Sequence, residues 1–258
     1  MKALLLSLAL GACAMSAQAK LVTQDLDYKD GGQDLRGFLA YDDSVAKAPG
    51  ILIAHQWMGL SSHEKERAER LAKLGYVALA VDIYGPKNRP ADAAAAGKLA
   101  GRYKADRALL RQRMLAGLAA LKAQPRVDLS RIAALGFCFG GTAALELARA
   151  GADLKGVISF HGGLDSPDPS AGKAIKAKVL VLHGADDPYV PKKDIAAFED
   201  ELKAAGVDYQ LVFYSQAVHA FTQKEAGNDN SKGAAYNANA DRRSWKALLD
   251  FLDELFPR

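Results

Sequence analysis

The stretch "GFCFG" (Gly136 to Gly140) sets a thiol between two aromatic rings and two glycines, directly ahead of a run of helix-forming residues. The spacing has a steric meaning. A strand that turns sharply into a helix forces its corner residue into a strained backbone, and flanking glycines let the two segments approach without Cβ clashes. The corner side chain is pushed out at the sheet edge beside a helix N-terminus, where partial positive charge favours a thiolate. Taken alone, the pattern suits a buried structural cysteine as well as a nucleophile. Two later segments supply what a nucleophile needs: carboxylates in "HGADDPYVP" (His183 to Pro191) and an imidazole in "AVHAFT" (Ala217 to Thr222). A base within hydrogen-bond reach of the sulfur, and a carboxylate holding the imidazole in one tautomer, would make Cys138 reactive. Singly, Asp186 and Asp187 read as turn residues and His219 as a surface histidine. Together, in this order and each just after a predicted strand, they read as a catalytic set.

The elements that must position them follow from hydrophobic periodicity. Alternation and β-branched runs predict eight strands, at 21–28, 34–41, 50–55, 76–83, 131–137, 155–161, 177–183 and 208–214. The first two flank "KDGGQ", a hairpin signal. From the third onward the strands are largely apolar and alternate with helical patterns, the signature of a parallel sheet covered on both faces. Helices are predicted at 62–74, 91–123, 140–150, 192–205 and 241–255, with Ser62 in the N-cap region of the first. The alanine-rich 91–123 segment carries Gly97 and Gly101 and is expected to divide into two helices, with residues 86–104 a candidate lid.

The first residues read as a targeting segment. Lys2 supplies a positive end, "ALLLSLALGACA" (Ala3 to Ala14) an apolar stretch too short to span a bilayer comfortably, and "AQA" (Ala17 to Ala19) a small-residue cleavage site. The expectation is a signal peptide at 1–19 and a single domain at 20–258, exported to the periplasm or secreted. A lipoprotein anchor at Cys13 is the lesser alternative. Cleavage after Ala19 would remove one of the two cysteines and leave Cys138 with no intramolecular partner, which excludes a disulfide. Half of the 258 residues are hydrophobic and a quarter charged, so there is ample material for a core. The net charge of +4, with no basic cluster interleaved with aromatics, argues against nucleic acid as a partner.

Nucleophile, acid and histidine in that chain order, each at the carboxyl end of a strand, match α/β-hydrolases. Over residues 21 to 257 the chain resembles the dienelactone hydrolase family, the cysteine members of that fold. The resemblance rests on "GFCFGG", the "DPYVP" acid turn, "VHAFT", "LIAHQWMGL" and "VDIYG". It implies an α/β-hydrolase fold, with a mostly parallel eight-stranded sheet and helices on both faces. It also implies a hydrolase of esters, lactones or related acyl bonds that needs neither metal nor organic cofactor. Cys138 and His219 match the family's nucleophile and base, and the acid turn selects Asp187, with Asp186 as the alternative. The oxyanion-hole amides are then those of Phe139 and Trp57. Gln56, Trp57 and Tyr84 are candidate pocket residues. The family's glutamate is replaced by Gln56, and its two substrate-carboxylate arginines by Pro86 and Gln223, with Lys87 a stand-in for the first. Dienelactone itself is therefore not the expected substrate.

His55, His161 and His183 fall at strand ends, but their spacing fits no metal motif, and hydrogen-bonded structural histidines are expected. Residues 227–245 read as a solvated loop entering the last helix. The expected partner is a small-molecule substrate of a monomeric protein with no stable membrane association. Alternatives are a peptidase or thioesterase on the same fold, or a non-catalytic binding or redox-sensing protein.

Overall fold

In the computed structural model, which describes residues 20–257, all eight strands form and hydrogen-bond into one sheet. They are β1 (Leu21–Asp30), β2 (Gln33–Asp42), β3 (Ala48–Ala54), β4 (Val77–Ala80), β5 (Val127–Phe137), β6 (Gly156–Phe160), β7 (Lys178–Gly184) and β8 (Tyr209–Tyr214). Their order across the sheet is β1-β2-β4-β3-β5-β6-β7-β8. β1 and β2 pair antiparallel, β2 lies antiparallel to β4, and every later pairing is parallel. Parallel neighbours need crossovers, and helices supply them: α1 (Ser62–Ala72), α2 (Ala93–Ala105), α3 (Arg107–Lys122), α4 (Phe139–Arg149), α5 (Lys192–Ala205) and α6 (Ala238–Leu255).

Successive strand residues point to opposite faces, which divides the core in two. Leu52 and Ala54 of β3 pack with Leu110 and Met114 of α3, Leu147 of α4 and Phe198 of α5. Ile51 and Ile53 face the other way, towards Ala68 and Leu71 of α1 and Leu248 and Leu252 of α6. β3, β7 and the second half of β5 therefore have no solvent face, which is why their sequences read as apolar runs, whereas the edge strand β8 is partly exposed.

Three local expectations are corrected. The α1 N-cap is Ser61 rather than Ser62: its hydroxyl accepts from the His63 amide, and Glu64 closes a capping box. The 91–123 segment does split into two helices, but at Asp106 and not at Gly97 or Gly101. Asp106 caps α3 by accepting from the Leu109 amide. A glycine inside a helix costs only about 1 kcal/mol, whereas an aspartate that satisfies an orphan amide defines a start. α6 begins three residues earlier than 241, with Asn237 as its cap.

α4 is buried along its whole length, including Arg149. A buried guanidinium must be paired. Arg149 donates from Nε and Nη2 to the two carboxylate oxygens of Glu201 at 2.8 and 2.6 Å, and from Nη1 to Glu146 at 3.0 Å. Arg111 of α3 reaches the same Glu146 at 2.7 Å. These bonds tie α3, α4 and α5 together beneath the helix that presents Cys138. Arg149→Met should lower unfolding free energy in urea by about 3–5 kcal/mol, because Glu201 is left buried and unpaired; a loss under about 1 kcal/mol would show the network to be dispensable.

Candidate active site

Cys138 sits between β5 and α4 with φ 54° and ψ −119°, a left-handed-side backbone that a non-glycine residue adopts only when its surroundings enforce it. The glycines around it make the bend possible. A Cβ on Gly136 would lie 1.9 Å from the Gly140 carbonyl oxygen, and a Cβ on Gly140 would lie 2.2 Å from the Ala54 carbonyl oxygen. The second contact matters most for the site, because it lets the start of α4 rest directly on the backbone that ends β3.

Cys138 Sγ lies 3.0 Å from His219 Nε2, and His219 Nδ1 lies 2.8 Å from Asp187 Oδ2. The carboxylate can only accept, so Nδ1 carries a proton and Nε2 faces the sulfur. Asp187 is buried and its other oxygen accepts from the Tyr189 amide at 2.9 Å. Its neighbour Asp186 is exposed, and it is the Asp186 backbone amide that is engaged, donating to Ala217 O at 3.0 Å. The acid at the imidazole is thus Asp187. Gly184 permits this docking, since a Cβ there would meet the Ala217 and Val218 carbonyl oxygens at 2.5 and 2.7 Å.

Electrostatics favour separated charge. Burial pushes the Cys138 thiol up, but the His219 charge, its hydrogen bond and the Phe139 amide outweigh this and hold the thiol below its ordinary value. Burial disfavours the His219 cation; the Cys138 charge and the hydrogen bonds to Asp187 and Cys138 win, raising it to about 10. Each group thus favours the charged form of the other, and the thiolate is the form in which sulfur is nucleophilic.

Behind the elbow, the Cys138 amide donates to Phe160 O at 3.0 Å and to His161 Nδ1 at 3.1 Å, and His161 Nε2 donates to Thr222 Oγ1 at 2.9 Å. Burial holds His161 well below its ordinary value, consistent with a neutral ring. His55 is committed to backbone groups at the end of β3, and His183 packs edge-on against Phe213, so the three strand-end histidines do not converge.

A cavity of about 610 Å³ opens over Cys138 and His219, walled by Trp57, Met58, Tyr189, Ala220, Gln223 and Ala234, with Glu225 at its edge. Trp57 lines this cavity, with Gly97 of α2 close to its indole. Gln56 and Tyr84 are not in the wall. Gln56 is buried and turned inward, its amide donating to Glu64 Oε1 at 3.3 Å. Tyr84 lies behind Trp57 and lines a separate cavity with Tyr103, Lys98 and Arg102. Lys87 is exposed and outside the wall. Tight turn geometry decides both placements, and no spacing rule reports it.

The reading of 227–245 as solvated holds for 227–232, which are exposed, but not for the residues that follow. His219 donates its amide to Gly233 O at 3.2 Å, and Ala235 donates to His219 O at 3.0 Å. Ala235 is fully buried. Gly233–Ala235 is the backbone clamp on the histidine, and a small apolar pair in a polar stretch was its only sequence signal.

The model of the dienelactone hydrolase family matches residues 35–256. The chain belongs to the dienelactone hydrolase family. It is accordingly a hydrolase of ester or lactone bonds, with the α/β-hydrolase fold. One solved relative, m3DLH, is 41% identical with a TM-score of 0.88, over 92% of this chain and 99% of that one. Another, from metagenomic libraries, is described as a dienelactone hydrolase-like promiscuous phosphotriesterase; it is 42% identical with a TM-score of 0.87, over 91% and 98% of the two chains. A Bradyrhizobium protein named as a probable 2-oxo-3-(5-oxofuran-2-ylidene)propanoate lactonase is 29% identical over 238 residues, 88% of this hydrolase and 92% of that protein.

The ion pair gives this hydrolase a signature in pH. The Cys138 thiolate is lost as pH falls through its lowered value, and the imidazolium is lost as pH rises through about 10. Stability contributed by His219 is present below its unfolded value of about 6.5 and is lost on the way up through about 10. Iodoacetamide should therefore alkylate Cys138 at pH values where a free thiol, with its value of about 8.5, is largely protonated. In His219→Asn the midpoint of the rate profile should move upward; an unmoved midpoint would show that the imidazole does not set the thiolate.

Proposed function

We propose that this family member is an exported hydrolase whose Cys138, His219 and Asp187 form a catalytic triad acting on uncharged esters or lactones. The unbroken line of contacts from sulfur to imidazole to buried carboxylate, at 3.0 and 2.8 Å, carries the reading. The Cys138 thiolate attacks the acyl carbon, and charge collects on the former carbonyl oxygen beside the Phe139 and Trp57 amides. Collapse expels the alkoxide, which takes the His219 Nε2 proton. His219, now neutral, removes a proton from water; the hydroxide attacks the thioester, the acid leaves, and sulfur departs as thiolate beside the regenerated imidazolium.

Uncharged substrates are inferred from the cavity. Among the described residues of its wall there is no lysine or arginine, Gln223 stands where the family resemblance calls for an arginine, and Glu225 lies at the rim. An anionic acyl group would lose hydration there with no lysine or arginine of the wall to pair with. The same wall suits a neutral phosphotriester, a second reading prompted by the 42% identical relative described as a phosphotriesterase. Export is inferred from Lys2, the apolar stretch and the Ala17–Ala19 site, which lie outside the described residues.

Cys138→Ala should reduce hydrolysis of p-nitrophenyl butyrate to the uncatalysed rate, while Asp187→Asn should lower kcat by about 10⁴-fold through the wrong tautomer. Undiminished turnover in Cys138→Ala would sink the proposal. Paraoxon hydrolysis that vanishes in the same variant would assign phosphotriester cleavage to the same sulfur.

A further inference from the structure

The end of β3 contains a second, buried imidazole that touches neither the sulfur nor the cavity. His55 has no exposed surface, and its ring packs edge-on against Tyr84 with centroids 4.7 Å apart. Its Nε2 accepts from the Ile83 backbone amide at 3.1 Å. A backbone N–H can only donate, so Nε2 is unprotonated and the ring proton of neutral His55 must sit on Nδ1. That proton is directed at the Gln56 carbonyl oxygen, 2.6 Å away. The same oxygen accepts from the Gly59 amide at 3.1 Å. One residue further on, the Tyr84 hydroxyl donates to the Trp57 carbonyl oxygen at 3.0 Å.

The Gln56 and Trp57 carbonyls, on either side of the Trp57 Cα, are therefore both held by hydrogen bonds. A trans peptide is planar, and its N–H points opposite to its C=O. With the Gln56 oxygen held by two donors, the Trp57 N–H must point the opposite way, and Trp57 itself lines the Cys138 cavity. The anchor points are themselves rigid. The Tyr84 and Gly85 amides donate to Asp82 Oδ1 at 3.1 and 2.9 Å, so the turn carrying Ile83 and Tyr84 is tied to a buried carboxylate. Gly140 meanwhile brings the Phe139 end of α4 against the Ala54 and His55 backbone, with no room for a Cβ. Both proposed oxyanion donors are thus referenced to one buried assembly.

We propose that His55 and Tyr84 are positioning residues that set the direction of the Trp57 amide for the developing oxyanion. The inference rests on the acyl-transfer reading above. Removing one oxyanion donor typically costs about 10²–10³ in rate, so losing its alignment should cost part of that. His55 adopts this role because the end of β4 offers its Nε2 an obligate donor, which fixes the tautomer whatever the substrate.

The test compares two reactions of the same sulfur. Hydrolysis of p-nitrophenyl butyrate passes through an oxyanion, whereas alkylation by iodoacetamide displaces iodide from a CH₂ group and creates none. His55→Gln can keep an acceptor for the Ile83 amide in its side-chain oxygen but loses the donor to Gln56. His55→Asn can keep a donor at the Nδ1 position. Tyr84→Phe deletes one hydroxyl and keeps the ring packing if the buried histidine variants fail to fold. Expected are a fall in kcat of about 10- to 100-fold in His55→Gln and about 3- to 10-fold in Tyr84→Phe, with KM and the alkylation rate within twofold of wild type. His55→Asn should recover most of the loss. Alkylation falling in step with kcat in Tyr84→Phe would overturn the proposal, since the thiol itself would then be disturbed; so would unchanged kcat in Tyr84→Phe. A wild-type protein that is alkylated readily yet hydrolyses no ester would instead overturn the acyl-transfer reading, and this inference with it.

Discussion

The 3.0 Å contact between the Cys138 sulfur and the His219 imidazole joins loops 81 residues apart, and most of the surrounding structure can be understood as what makes it possible. The sulfur is presented by a backbone at φ 54°, a conformation that relaxes unless both flanks are held. On one flank β5 continues its sheet bonding to the corner, with the Cys138 amide donating to Phe160 O. On the other, α4 is locked by complete burial and by the Arg149 ion pairs. The imidazole is fixed by Asp187 on its ring and by the Gly233–Ala235 segment on its backbone.

Charge in the site is arranged around the same contact. Burial opposes both the thiolate and the imidazolium, yet each stabilises the other strongly enough to reverse that opposition. The other strand-end histidines behave differently because burial outweighs the pull of nearby carboxylates, Glu64 and Asp82 on His55 and Asp187 on His183. Burial pushes His55, His161 and His183 down, so they remain neutral and serve as directional hydrogen-bonding or packing groups. One fold therefore holds four buried or half-buried imidazoles near the carboxyl ends of its strands, and only the one between a sulfur and a carboxylate is shifted toward its charged form.

Much of this was legible in order and type. The eight strands, their alternation with helices and the placement of Cys138, Asp187 and His219 after β5, β7 and β8 follow from apolar periodicity and glycine spacing, which are local properties. The site's surroundings were less legible. Gln56 stands beside Trp57 in one motif and Tyr84 in another, yet a turn directs Gln56 to Glu64, and the Tyr84 hydroxyl bonds the Trp57 carbonyl. The helix break fell at Asp106 because a satisfied cap outweighs two glycines. Residues 233–237 looked solvated because their polar neighbours dominate the pattern, while the structure uses their backbone to grip His219.

The amino-acid sequence by itself determined which groups could react and in which order they meet the sheet, because strand and helix periods and the Gly136–Gly140 spacing are written within a few residues of one another. Only the tertiary structure decided which aspartate reaches the imidazole, which side chains wall the cavity and which way the Trp57 amide points. Those outcomes depend on close approaches between segments far apart in the chain, such as Gly140 against Ala54 and Gly184 against Ala217. A shift of an ångström there would change a hydrogen-bond partner while leaving every periodicity in the sequence unaltered.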